Sequence, residues 1–201
     1  VLYFNVRNFK AVNELFGIDN GDKVLRMIHK HLKESRLKPC ITARVEADQF
    51  TCLIRKENLD LEVLSGLCEW NFAHDGKMMN ILCGCGIFYV EDKPMSINGM
   101  IDRAKIAKRY IKDEYVKPYN IYDTTMKSDY INRAELTGEL KNGLAQEQFK
   151  VYYQPVIDAK TEKIVSAEAL IRWIHPQRGF VSPAVFIPAL EESGHISELD
   201  F

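Results

Sequence analysis

Apolar residues along this chain recur at two periods, and the switches between them mark out the elements. Residues 1–6 are apolar except at Asn5 and read as a buried strand. Residues 8–16 read as a short helix that Gly17 ends. Residues 19–36 place Val24, Leu25, Ile28 and Leu32 at helical spacing and predict a longer helix. Residues 41–45 and 49–54 flank a tight turn, Glu46-Ala47-Asp48, and predict a hairpin. A helix is predicted over 59–72, a strand broken by Gly84 and Gly86 over 79–90, a long helix over 97–115 and a short strand over 120–122. This alternation predicts an α/β architecture, an α+β sandwich over residues 1–123.

The polar stretch 124–132 reads as a linker to a second domain over 133–201. That domain opens with a helix over 133–148, with Leu136, Leu140 and Leu144 on one stripe. Strands are predicted over 149–157 and 163–173, joined by a turn at 158–162. A last helix covers 183–193 and stops at Gly194.

Composition narrows the picture. The chain has 201 residues, 46% hydrophobic and 27% charged, which suits a folded protein of one large or two small domains. A formal net charge of -1 leaves no basic footprint for a nucleic acid duplex. No apolar run is long enough to span a bilayer, and no signal peptide is visible. Five cysteines without CxxC spacing, with Cys83 and Cys85 on one strand face, predict buried reduced thiols and a cytoplasmic setting. The chain starts inside a strand and ends as a helix begins, so both ends read as cut; tethering to a membrane upstream of Val1 stays open.

The strand over 163–173 contains a misfit. Its odd positions, Val165, Ala167, Ala169, Ile171 and Trp173, are apolar and can pack on helices. Its even positions include Glu168 and Arg172, about 13 Å apart along an extended strand and unable to pair with each other. A buried ionised carboxylate needs a partner or a metal. The pattern admits two readings: separate structural counter-charges, or a metal carboxylate and an anion-binding arginine at the mouth of a parallel barrel. A guanidinium fork suits phosphate oxygens, and Gln154 on the preceding strand offers amide contacts.

These residues belong to an ordered set: Phe149, Tyr153-Gln154-Pro155, Glu168-Ala169-Leu170, Arg172-Trp173, His175-Pro176, Gly179, Ser182-Pro183, Phe186-Ile187 and Glu191. The set resembles the start of an EAL domain, the phosphodiesterase family that hydrolyses cyclic di-GMP. The resemblance implies a TIM-like (β/α)8 barrel, of which the chain holds only the truncated start. It implies Glu168 as a metal ligand and Gln154, Leu170 and Arg172 as substrate-binding residues, with Arg172 on a phosphate. It implies Mg or Mn in the complete domain and water attack yielding a linear dinucleotide. A barrel of about 250 residues cannot be built from roughly 70, so no complete catalytic set and no bound metal are expected in this stretch alone. His175 and His195 read as structural.

Residues 1–123 resemble a GGDEF domain, the diguanylate cyclase family, through Phe9-Lys10, Asn13-Glu14, Gly17, Gly21-Asp22 and Leu25. The hairpin 44–50 falls at the signature, and Lys112 at the family's phosphate-binding lysine. The departures are chemical. Asn5 stands for a metal-binding Asp, and Arg7 for the next family Asp. The signature reads Glu46-Ala47-Asp48-Gln49-Phe50, without its two glycines. Ala47 hinders a backbone that glycine allows at φ > 0, Glu46 adds negative charge facing a triphosphate, and an amide is a poor ligand for a hard cation. The expectation is a degenerate, silent cyclase domain. Asn13 and Asp22 match base-binding positions, so GTP binding stays open beside a purely structural role for both, Asp22 as a helix-start carboxylate. The product-inhibition positions fall at Leu37 and Cys40, so that motif is absent. Taken together, the expected partners are cyclic di-GMP at the second domain, GTP as an open case at the first, and a second copy of the chain. The leading reading is a phosphodiesterase with a regulatory first domain; the alternative is a non-catalytic module that binds cyclic di-GMP or GTP and signals through a partner.

Overall fold

The structure, a computed structural model, describes residues 1–91, 94–193 and 196. The chain forms two compact units, Val1–Lys127 and Ser128–Phe201.

The first unit is a mixed sheet with helices on both faces. Strand β1 (Leu2–Val6) is succeeded by α1 (Phe9–Phe16), α2 (Ile18–Lys33), β2 (Ile41–Glu46), β3 (Gln49–Leu53), α3 (Leu61–Gly66), β4 (Glu69–His74), β5 (Lys77–Ile87), α4 (Ile97–Arg109) and β6 (Tyr119–Ile121). The strands lie in the order β2-β3-β1-β5-β4, and β6 pairs parallel with β5. Alternation along β1 decides which face is which. Leu2, Phe4 and Val6 join Phe50, Cys52, Cys83, Cys85 and Ile87 in a core closed by Val12, Val24, Ile28 and Leu32 of α1 and α2. Tyr3 faces the other way and packs with Phe88 and with Ala104 of α4.

Gly84 and Gly86 let α4 approach that second face. A Cβ on Gly86 would stand 1.8 Å from the Ala104 carbonyl oxygen, and one on Gly84 would stand 2.6 Å from Lys108 Cε. The expected buried thiols are present: Cys52, Cys68, Cys83 and Cys85 are free and buried. Burial pushes Cys68 up to about 12.

Three predicted elements differ. The helix expected over 59–72 is only one and a half turns of α3, capped by the Asp60 carboxylate, which accepts from the Glu62 and Val63 amides. The remainder of that stretch is β4, paired antiparallel with β5 from Glu69↔Leu82 to His74↔Lys77. Asp75 and Gly76 connect them at φ 49 and 74, as a two-residue hairpin turn requires. The helix expected over 97–115 stops at Arg109. The linker expected over 124–132 is helical, the first part of α5 (Thr124–Ala145). It contains neither Gly nor Pro, and Asp123 accepts from the Thr125 amide at 2.6 Å, which starts the helix as a cap does. The bonds from Thr125 hold the Asp123 carboxyl below its ordinary value.

The second unit contains most of α5, then β7 (Phe149–Ile157), β8 (Ile164–His175), β9 (Gly179–Val181) and α6 (Pro183–Ser193). The strands form an antiparallel sheet in the order β7-β8-β9. The two strands and the turn between them lie where the sequence predicts them, and the short turn makes the pair antiparallel. A turn of the length 158–162 cannot make the crossover that parallel strands need. Asp158 ties the turn by accepting from the Lys160 and Thr161 amides at 2.8 and 2.7 Å.

The core of this unit is Trp173, Phe149, Phe186, Leu136, Leu140, Val181 and Leu190. Trp173 is fully buried, stacks on Phe149 with ring centroids 5.0 Å apart, and donates through Nε1 to Gln148 Oε1 at 3.0 Å. Only the last third of β8 is covered. Val165 is 61% exposed, so the apolar odd face expected to pack on helices is covered only towards Trp173. Gly194 and His195 lie outside the described residues.

Candidate functional site

Two places gather the residues singled out from the sequence. The first is one face of the β7–β8 ribbon. Register sets Gln154 directly opposite Glu168, Tyr152 opposite Leu170 and Lys150 opposite Arg172. Residues two apart share a face, so Gln154, Glu168, Leu170 and Arg172 all lie on one side, opposite the side that carries Trp173 and Phe149. Gln154 and Glu168 are exposed; Leu170 and Arg172 are half-buried. The Arg172 guanidinium lies 5.7 Å over the Phe180 ring of β9, and its Nη1 donates to the Ile171 carbonyl at 3.0 Å. Among the described residues, Glu168 is the only carboxylate on this face of the two strands.

His175 closes the far end of β8 structurally. It is buried and bonded through Nε2 to the Glu139 carboxylate of α5. Its Nδ1 accepts from the Gln177 and Arg178 amides, each at 3.2 Å. With Nδ1 an acceptor, Nε2 carries the proton and Glu139 accepts it. The ring therefore clamps the β8–β9 turn to α5.

The second place is the α4 side of the first sheet. Asn5 on β1 pairs with Gln49 of β3 and with Gly84 of β5. Its Nδ2 donates to Asp48 Oδ2 at 3.1 Å. Burial pushes the Asp48 carboxyl up, opposed by its own backbone bond, by the Lys108 and Arg44 charges and by Asn5. Gln49 Oε1 is buried without a hydrogen-bond partner. Ala47 sits at φ 41, so the left-handed turn expected to be hindered by its Cβ forms nonetheless. Arg44 stabilises it, donating through Nε to the Ala47 carbonyl at 2.5 Å. Glu46 is exposed beside this turn.

The other nominated residues are dispersed. Asp22 of α2 is exposed and lines a separate 330 Å³ pocket with Arg26, His29, Arg44 and Phe50. Asn13 of α1 packs over Gly21, where its Oδ1 lies 1.9 Å from the position a Cβ would take. Lys112 is exposed in the segment after α4 and lines a 490 Å³ pocket with Arg7, Lys108 and Glu114. Lys108 and Glu114 went unrecognised in the sequence. The available signal was the pair Gly84 and Gly86, which reports a close helix, with Lys108 one turn past Ala104 on that helix.

Neither place fits a divalent cation with the residues present. Hard cations take several oxygen ligands, mostly carboxylate. The ribbon offers one carboxylate. The first sheet offers Asp48 and two amides, and its other nearby carboxylate, Glu114, is taken up by Lys108 and Arg7. Among the described residues no group of three His, Cys, Asp or Glu is placed to hold a metal. No helix among them is long and apolar enough to cross a membrane.

The fold and these positions define a nucleotidyl-cyclase-like α/β unit joined to a strand-bearing segment of a second signalling domain. The family model described as "Diguanylate cyclase, GGDEF domain" matches residues 1–115, and that of the EAL domain matches residues 137–201. The chain belongs to the GGDEF-domain family and continues into part of an EAL domain.

Its relatives match along nearly its whole length. A Synechocystis protein of uncharacterised role is 32% identical over 94% of this chain and 28% of its own length. The bifunctional diguanylate cyclase/cyclic di-GMP phosphodiesterase MucR of Pseudomonas aeruginosa is 26% identical over 99% of the chain and 30% of its own length. The chain thus spans less than a third of either protein. Among solved structures, an EAL/GGDEF domain protein from M. capsulatus superposes with a TM-score of 0.52 and 20% identity, covering 61% of this chain and 83% of that one. The S helix-GGDEF-EAL structure of Vibrio cholerae LapD, bound to c-di-GMP, gives 0.50 and 13% identity, covering 96% of this chain and 47% of that one. These structural likenesses establish the fold. By name, two of these homologues, MucR and NbdA of Pseudomonas aeruginosa, are cyclic di-GMP enzymes.

Proposed function

We propose that the chain is part of a cyclic di-GMP phosphodiesterase whose GGDEF unit no longer makes the dinucleotide. The observation that carries the reading is the register of Gln154 against Glu168, with Leu170 and Arg172 on the same face. A phosphodiester ligand needs a planar cationic fork, a polar group beside it and an apolar wall. Arg172, Gln154 and Leu170 supply these in turn. Glu168 is the acidic group set among them. Glu168 would supply one carboxylate to a Mg or Mn site completed by ligands from other segments, and the chemistry such an ion supplies is activation of water. The name of a second relative, the cyclic di-GMP phosphodiesterase NbdA of Pseudomonas aeruginosa, 23% identical over the whole chain, supports the hydrolytic reading.

The silence of the first unit is a matter of charge. Condensing two GTP molecules into cyclic di-GMP, with two pyrophosphates leaving, calls for a metal held by carboxylates near the triphosphate. Here Asn5 spends its amide on Asp48, Asp48 is disfavoured as an anion, and Gln49 is neutral. The proposal predicts that the full-length protein, given GTP and Mg, yields neither cyclic di-GMP nor its linear hydrolysis product. Arg172→Ala lowers its affinity for cyclic di-GMP about tenfold or more, as loss of a charge-assisted contact does. Chromatography of the GTP reaction and titration calorimetry read the two outcomes. Either product formed from GTP contradicts the first claim, and unchanged affinity contradicts the second.

A further inference from the structure

The segment after α4 folds back over the site of the first unit. Asp113 bends it, accepting from the Tyr115 amide at 2.8 Å and the Val116 amide at 3.4 Å. Glu114 is thereby aimed at the sheet. Its Oε1 lies 3.1 Å from Lys108 Nζ and its Oε2 lies 3.9 Å from Arg7 Nε. The Glu114 side chain is 12% exposed and that of Lys108 21%, so this is a largely desolvated ion pair. Gly84, the cross-strand neighbour of Asn5, leaves the room for it: a Cβ there would stand 2.6 Å from Glu114 Oε1. Outside the pair, the Arg7 guanidinium lies 5.7 Å from the Tyr115 ring centroid, which ties the next residue of the segment to the end of β1. Lys112 borders the same 490 Å³ pocket.

Two cationic groups, Lys108 and Arg7, therefore meet one carboxylate on the face that carries Asn5 and Asp48, and Lys112 lines the pocket beside them. Removing a carboxylate from water is costly, and it is offset only by cations and good geometry. Glu114 Oε2 accepts no hydrogen bond although it is buried, so the acid is held for its charge and not for a complete set of bonds. A phosphate group arriving here would compete for the same ammonium and guanidinium.

We propose that Glu114 is an internal latch: it takes the place of an incoming phosphate between Lys108 and Arg7 and keeps phosphate chains out of the first unit. The cationic pocket is intact beneath it and is exposed when the carboxylate is removed. This deepens the reading of a silent cyclase unit and has its own route to failure. Cyclic di-GMP or its linear product made from GTP defeats silence, whereas a variant without a gain in phosphate binding defeats only the latch.

The probe is inorganic tripolyphosphate, titrated calorimetrically into the full chain. Wild type is expected to bind it weakly. Glu114→Gln and Glu114→Ala are expected to bind about tenfold or more tightly. Glu114→Asp retains the charge with a shorter reach and gives a smaller gain. Adding Lys108→Ala to Glu114→Gln returns affinity to the wild-type level. Circular dichroism shows which variants keep the wild-type fold, and the Asp variant serves where a neutral one does not. Folded variants with no gain overturn the latch. So does wild-type binding as tight as that of Glu114→Gln, or a gain that survives Lys108→Ala.

Discussion

Asp48 carries a charge that its position disfavours. Its carboxyl is raised by burial, and the single side-chain bond from Asn5 does not offset that. A carboxyl with a raised folded value binds more protons folded than unfolded, so stability falls as pH rises through the window between the two. The window runs upward from the ordinary value of 3.8. Asp48→Asn keeps an acceptor for Asn5 and removes the charge. Its melting temperature is expected to equal or exceed that of wild type at pH 7. The difference should shrink as the pH drops below 4. A loss of stability at pH 7 would show that the ionised form is favoured after all. At this scale the sequence was informative about identities and silent about partners. Asn5, Asp48 and Gln49 could be nominated one by one. Their meeting depends on β1 lying between β3 and β5, and the Lys108–Glu114 contact depends on how α4 and the segment after it pack.

Elements were legible where one period dominated. The α2 stripe and the β2–β3 hairpin lie within a few residues of their predicted bounds. The β4 strand was missed because Leu61, Val63, Leu64, Leu67 and Cys68 extend a helical pattern up to it. Trp70 and Phe72 alternate with polar neighbours, and Asp75-Gly76 is a hairpin signal; both were in the sequence. The β7–β8 ribbon was legible from its two strand patterns and the short turn between them. Packing sets two expectations here. Gly86→Ala drives a Cβ into the Ala104 backbone, which cannot give way as a flexible side chain can. It should destabilise the first unit by about 3 kcal/mol. His175→Ala strands the Gln177 and Arg178 amides and the Glu139 contact. It should cost about 2–3 kcal/mol in the second unit. Urea denaturation measures both, and a change under about 0.5 kcal/mol, as at an ordinary surface site, would contradict either.

At the scale of the molecule, each unit makes one chemical statement. The first is a GGDEF-family sheet with Asn5 and Gln49 beside Asp48 and with Glu114 paired to Lys108 and Arg7 on the same side. The second displays Gln154, Glu168, Leu170 and Arg172 on one face of a ribbon whose other face is anchored by Trp173. The second face was legible from the sequence because its residues are local to two adjacent strands. The partners proposed for Glu168 were not, since barrel sites draw on strands far apart in the chain. The direct measurement is hydrolysis of cyclic di-GMP by the full-length protein with Mg or Mn, wild type beside Glu168→Ala. The expected result is linear dinucleotide from wild type and none above background from Glu168→Ala. Equal turnover by both, or turnover by neither, would contradict a phosphodiesterase that works through Glu168.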